Sequence, residues 1–158
     1  MTQPDAPWTT PVGGGAPLPG PPVAGAPGYP PAVPTGRVAW ALGFLAYIPV
    51  PAVGVVIAAF AMLLAYRSQQ RRGPLAAENA RNAANWALTL LGVFVLCGLW
   101  VLVWALAGAT HGFFPIGAAV IVYFLLALTH AVVTIVGTVV SGSRVFRCPI
   151  AVPFLRRR

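Results

Sequence analysis

Three stretches of this chain are too long, too apolar and too free of charge to be the helices of a water-soluble core. Residues 38–66, 84–106 and 113–140 contain no Asp, Glu, Lys or Arg. Uncharged apolar runs of about 18 residues or more match the thickness of a bilayer. Composition agrees, since 58% of the chain is hydrophobic and only 8% charged, with a mean hydropathy of +0.81. A soluble domain carries about 25% charged residues to cover its surface. A soluble globular enzyme is therefore excluded as the default, and with only Cys97 and Cys148 so is a disulfide scaffold.

The charge that does exist is confined to the ends of these runs. All ten basic residues are arginine, against Asp5 and Glu78, giving a net charge of +8. In a soluble chain that balance would suggest nucleic acid. Here every arginine flanks an apolar stretch and none interrupts one, which is the pattern of membrane topology. Nucleic acid is accordingly not an expected partner.

Residues 1–36 hold eleven prolines and seven glycines. Such a composition favours polyproline II and turns, so a disordered Pro/Gly-rich tail is expected. It lacks the basic and apolar sections of a signal peptide. In the 38–66 run, Pro49 and Pro51 each remove a backbone donor and restrict the residue before them. The run thus divides into helices near 37–48 and 51–67. Two geometries satisfy it: one kinked span, or a hairpin returning to the side it left. At about 43 Å as a straight helix the run exceeds a bilayer core of about 30 Å, which favours the hairpin.

A polar connector, 67–83, is punctuated by Gly73 and Pro74, with helix restarting soon after. The cleanest span is 84–107, with Trp86 at one end and Trp100 and Trp104 at the other, as in an aromatic belt. After an uncharged turn at 108–112, a last span covers 113–140, and 141–158 is a basic tail. The fold expected is thus all-α, a broken N-terminal unit followed by a two-span antiparallel hairpin. The connector carries four arginines, the tail five and the turn none. By the positive-inside rule the connector and C-terminus face the cytoplasm, in the cell (inner) membrane. A returning hairpin would put the N-terminal tail there too.

Two polar faces are candidates for contacts. Glu78, Arg81, Asn82 and Asn85, with Thr89, lie on one helical face. They form either a vestibule strip or an amphipathic entry into the bilayer, with Asn85 deep enough to need a partner on another helix. On the last span, His130, Thr134 and Thr138 share a face with Tyr123, Ala127, Gly137 and Ser141. An ionisable residue at that depth is a functional candidate by default. The competing reading is a neutral imidazole bonded to a facing helix, the threonines bonding backbone or neighbours. Arg71, Arg72, Arg144, Arg147, Arg156, Arg157 and Arg158 are candidates for anionic lipid head groups, at about 1 kcal/mol each near the surface.

Catalytic and metal readings fail on inventory. Two histidines, two cysteines and two acids are scattered without ligand spacing, and no nucleophile–base set or phosphate loop is present. No cofactor is expected.

Two motifs resemble a known family. Glu78-Asn79-Ala80-Arg81-Asn82-Ala83-Ala84-Asn85-Trp86 is similar to the "E-H-A-K-E-A-L-N-F-Q" signature of small bacterial membrane proteins of the domain-of-unknown-function 4870 type, themselves similar to the Tic-twenty chloroplast import family. Phe146-Arg147-Cys148-Pro149 resembles that family's closing "Y-x-Y-P". Asn79, Asn82, Ala87 and Cys148 depart from it. The resemblance implies a compact helical membrane domain over 37–158. Function is expected to be structural, by interaction with other membrane proteins or self-assembly, without catalysis. The alternative is a channel-like transport or protein-translocation component, implied weakly by the plant relatives.

Overall fold

The computed structural model describes residues 33–49, 52–108, 112–114 and 116–156. The tail expected to be disordered falls outside them as far as Ala32, and so do Pro51, Arg157 and Arg158. The protein is all-helical, with no strand among the described residues. Helix α1 (Arg37–Ala41) runs into a 3-10 segment, Leu42–Tyr47. Three longer helices follow: α2 (Val53–Gln69), α3 (Pro74–Leu106) and α4 (Ile116–Val140).

The first unit is a hairpin that returns. At its entry, the Thr35 carbonyl accepts a hydrogen bond from Asn79 Nδ2 at 2.8 Å, near the start of α3. Near its bend, Tyr47 donates from Oη to the Ala127 carbonyl at 2.8 Å. Helix α2 then comes back to Gln69, five residues before α3 begins. The bend falls at the proline-bounded segment, where Ala52 takes φ 72° and ψ −48°. That left-handed region costs a non-glycine residue on the order of 1–3 kcal/mol.

Helix α3 starts earlier than the apolar run suggests. Pro74 occupies the first helical turn, where a missing N–H costs nothing. From there 33 residues continue unbroken, about 50 Å of helix. The polar half of the connector is thus the first two turns of the same rod. Gly73, at φ 129°, makes the sharp entry that separates α2 from α3.

The core occupies one end of the α3–α4 hairpin. On α3 the buried positions stop at Leu90, and on α4 they begin at His130. Small side chains make this core possible: Ala80, Ala83 and Ala87 of α3 share one buried cluster with Ala59, Met62 and Ala65 of α2. Such residues let helix backbones approach closely. Trp40, fully buried, fills the gap between α1 and α4 and meets Phe146 edge-on at 5.1 Å. Its ring lies flat against Gly137, where an added Cβ would sit 2.5 Å from Trp40 Cδ2.

Beyond this body the hairpin is bare. Leu96, Leu99, Leu102, Val103, Phe124, Leu125 and Leu128 are exposed, and within the most apolar window of each of α3 and α4 only 17% is buried. Both helices are long and apolar enough to cross a membrane. At the far end Trp100, Trp104 and Phe114 cluster, with ring centroids 5.8–5.9 Å apart. They suit an interfacial belt.

The close approach at Gly137 gives a direct test. Gly137→Val forces Trp40 out of its slot and should cost about 1–3 kcal/mol, the usual penalty of overpacking. Gly92→Ala, with open space around the new methyl, should cost nothing measurable. Thermal unfolding in detergent, followed by helical circular dichroism, separates the two; equal melting curves would contradict this packing.

Candidate functional site

The polar residues of α3 are spaced to present one row of amides. Asn79, Asn82 and Asn85 recur every three residues, and Thr89 follows one turn later, so their side chains emerge along a single ridge. Opposite that ridge runs the C-terminal segment 141–156, which has no regular helix or strand and contains Pro149 and Pro153. Its backbone therefore has donors and acceptors that no secondary structure satisfies.

The amides satisfy them. Asn79 Oδ1 accepts from the Phe146 N–H at 2.8 Å, and its Nδ2 faces the carbonyls of Thr35 (2.8 Å), Arg144 (3.2 Å) and Ser141 (3.4 Å). Asn82 Nδ2 donates to the Phe146 carbonyl at 2.9 Å. Asn85 grips Leu155 at both backbone groups, accepting its N–H at 2.7 Å and reaching its carbonyl at 3.4 Å. Thr89 Oγ1 accepts from the Val152 N–H at 2.9 Å while donating to the Asn85 carbonyl. The segment is strapped to α3 as a peptide is held on a sheet edge, with side-chain amides standing in for a strand.

Glu78 and Arg81 flank this ridge and form an ion pair with each other. Asn85 has a partner, and that partner is the strap's backbone and not another helix.

The second face converges on His130, which is almost fully buried. Trp86 Nε1–H can only donate, and it donates to His130 Nδ1 at 2.9 Å. The ring hydrogen must then sit on Nε2, where it is donated to the Gly43 carbonyl at 2.9 Å. This is a neutral imidazole joining α3, α4 and the 3-10 segment. A second ring proton would point Nδ1–H at the indole N–H. Thr134, also fully buried, lies under Gly43. Trp86 is thus not an interfacial belt residue: its indole is 1% exposed and serves the core. Within the described residues, Thr138 Oγ1 and Trp40 Nε1 are buried without a hydrogen-bond partner.

Arg71, Arg72, Arg144, Arg147 and Arg156 are all exposed at the end of the molecule where the hairpin begins and the strap lies. Cys148 is a buried residue of the strap itself, and burial pushes its thiol above the usual value, partly offset by backbone N–H groups of Ile150 and Ala151. Among the described residues no group of three His, Cys, Asp or Glu is placed to hold a metal ion. What the geometry can do chemically is hold three non-helical segments in place. The residues that sequence reasoning missed are Asn79, Trp86 and Trp40. The three-residue spacing of amides, set against a proline-containing C-terminal segment, was the available signal for the first.

Fold and site together define a multi-span helical membrane protein whose polar side chains serve internal joints. Residues 36–155 match the MamF/MmsF family, described as the magnetosome magnetite crystal formation protein family, and the chain belongs to it. No curated protein and no solved structure gives a significant match. The family found replaces the expected domain-of-unknown-function 4870 and Tic-twenty assignment. The residues that carried that likeness, 78–86 and 146–149, are the two sides of the strap joint. A motif set by such packing reports a local joint and carries no import function with it.

The strap joint predicts a chemical readout. In a Cys97→Ala background, Cys148 should react slowly with a water-soluble maleimide, because burial lowers both access and the thiolate fraction, and the rate should climb with pH beyond the range of a free thiol. Asn79→Ala removes bonds worth about 0.5–1.5 kcal/mol each and should accelerate labelling at least several-fold. Identical rates in both proteins would mean that Asn79 does not hold the strap.

Proposed function

We propose that the protein is a structural, assembly-type component of the magnetosome membrane and performs no catalysis. The observation that carries this reading is the exposed apolar hairpin beyond Leu90 and before His130, which offers lipid and neighbouring helices a broad surface. The family's description, magnetite crystal formation, supplies the setting. The polar inventory supports the same reading. Iron ions are hard cations favouring carboxylate oxygens, whereas this sequence holds only Asp5 and Glu78, and Glu78 is paired with Arg81. A direct mineral-templating surface would need far more.

Partners are then other membrane proteins or further copies of the chain, together with anionic lipids at the arginine-rich end. The connector and C-terminus face the cytoplasm by the positive-inside rule. The Thr35 carbonyl is bonded to Asn79 near the start of α3, which supports a cytoplasmic start for the N-terminal tail. The polar face of α4, which a channel would need wet, is occupied by Trp86, Gly43 and Trp40.

Deleting the chain in a magnetite-forming host should change crystal size or number while leaving iron uptake by isolated magnetosome vesicles within about twofold of wild type. Crosslinking in native membranes should recover homo-oligomers or a membrane-protein neighbour. A fall in vesicle iron uptake that tracks the crystal defect would overturn the assembly reading in favour of transport.

A further inference from the structure

The strap descends along α3 and climbs back. Phe146 is bonded at Asn79 and Asn82, Val152 at Thr89, and Leu155 at Asn85. Val152 therefore marks the turning point. By Arg156 the strap has returned to the level of Glu78 and Arg81, beside which that residue walls a groove.

The depth of the turning point follows from the far end of the hairpin. Trp100, Trp104 and Phe114 cluster there as an interfacial belt. A hydrocarbon core of about 30 Å takes about 20 residues of helix at 1.5 Å each, so, counted back from Trp104, the near boundary falls at Ala84. Thr89 lies further in, about 7 Å below that boundary. Arg147, which shares a small cavity with Asn82 and Asn85, stays at the boundary, and Arg156 lies above it.

Two features fit the strap to that depth. Its side chains divide: Cys148 is buried and Ala151 half-buried, whereas Ile150, Val152 and Phe154 are exposed. Three exposed apolar side chains thus sit between two arginines. The second feature is the backbone. From Pro149 to Leu155 every N–H is either absent or engaged within the protein. The prolines at 149 and 153 have none. Ile150 and Ala151 donate to the Cys148 sulfur, Val152 to Thr89 Oγ1, Phe154 to the Val152 carbonyl at 2.9 Å, and Leu155 to Asn85 Oδ1. A loop in water has no need of this, because water meets its donors. Irregular backbone at membrane depth is tolerated only where the protein meets them itself.

We propose that residues 149–154 form an apolar wedge inserted among the acyl chains of the leaflet on the arginine-rich side, with Arg147 and Arg156 at the lipid phosphates. The wedge is a third lipid contact of the chain, added to the two spans, and it reaches only one leaflet. It rests on the spans crossing a bilayer and is independent of what the protein assembles with.

The test is depth-dependent fluorescence quenching on the full chain in phosphatidylethanolamine–phosphatidylglycerol vesicles. In a Cys97→Ala, Cys148→Ser background, which keeps an acceptor at 148, an environment-sensitive nitrobenzoxadiazole label is attached singly at Ile150→Cys or Val152→Cys. Ser143→Cys, an exposed position before the strap descends, is the water-side reference, and Leu99→Cys is the reference within a span. Labels at 150 and 152 should be quenched by a nitroxide at the fifth carbon of the acyl chain about threefold more than by aqueous iodide, as for groups buried about 5–10 Å below the head groups. The label at 143 should show the reverse order. Using two strap positions guards against one label dislodging the segment. Iodide quenching at both 150 and 152 equal to that at 143, with Leu99 still protected, would overturn the wedge and leave a strap that faces water or awaits a protein partner absent from the vesicles. Iodide reaching Leu99 as well would overturn the span assignment and the wedge with it.

Discussion

A backbone that leaves the helix inside or beside a bilayer must find its hydrogen-bond partners within the protein, because lipid offers none and each unmet group costs several kcal/mol. Besides the turn between α2 and α3, this chain leaves the α-helix three times in its packed body: before α1, in the 3-10 segment of the first hairpin, and after α4. Each of these three is met by groups from the two long helices. Asn79 serves the first and the last at once, bonding Thr35 on one side and Arg144 and Phe146 on the other. His130 and the Ala127 carbonyl serve the middle one, through Gly43 and Tyr47. The polar residues of the spans are therefore structural connectors, and the close helix packing follows from having these segments drawn in.

The composition of α3 changes where its task changes. From Ala76 to Ala87 its inward positions are alanines, asparagines and one tryptophan; past Leu90 they give way to Leu, Val, Phe and Trp, none of them fully buried. Alanine at a contact brings backbones near enough for short amide side chains to reach across. Large side chains at the other end fill space against lipid tails, where no such reach is needed. One helix thus contains a joint and an anchor in sequence.

Much of the architecture was legible because hydropathy and charge placement are read directly against bilayer thickness. The two spans, the break near Pro49 and the helix restart after Gly73 and Pro74 all follow from local chemistry. The direction of the first hairpin did not, since the contacts that decide it, Thr35 with Asn79 and Tyr47 with Ala127, join residues 44 and 80 apart. Trp86 was misplaced for a similar reason: a tryptophan near a span end looks interfacial until its neighbour across the core, His130, is known. Asn79 was visible only as a departure from a motif, because an amide's value lies in what its two ends meet. The family, too, was out of reach from those motifs, as they encode the joint.

The joint also limits how the protein can act. Its asparagines, its buried histidine and Thr89 are already engaged with the protein's own backbone. Recruiting them to a substrate would mean releasing the strap or the hairpin and leaving several buried groups unpaired, each at about 1–3 kcal/mol. Contacts with other molecules are more cheaply made where no internal bond is lost: along the exposed faces of α3 and α4, and among the arginines at the packed end. Lipids and membrane neighbours can reach both surfaces while the joint stays closed. A protein so arranged has its polar chemistry engaged in holding its own non-helical segments, and its free surfaces are the apolar faces and the arginines.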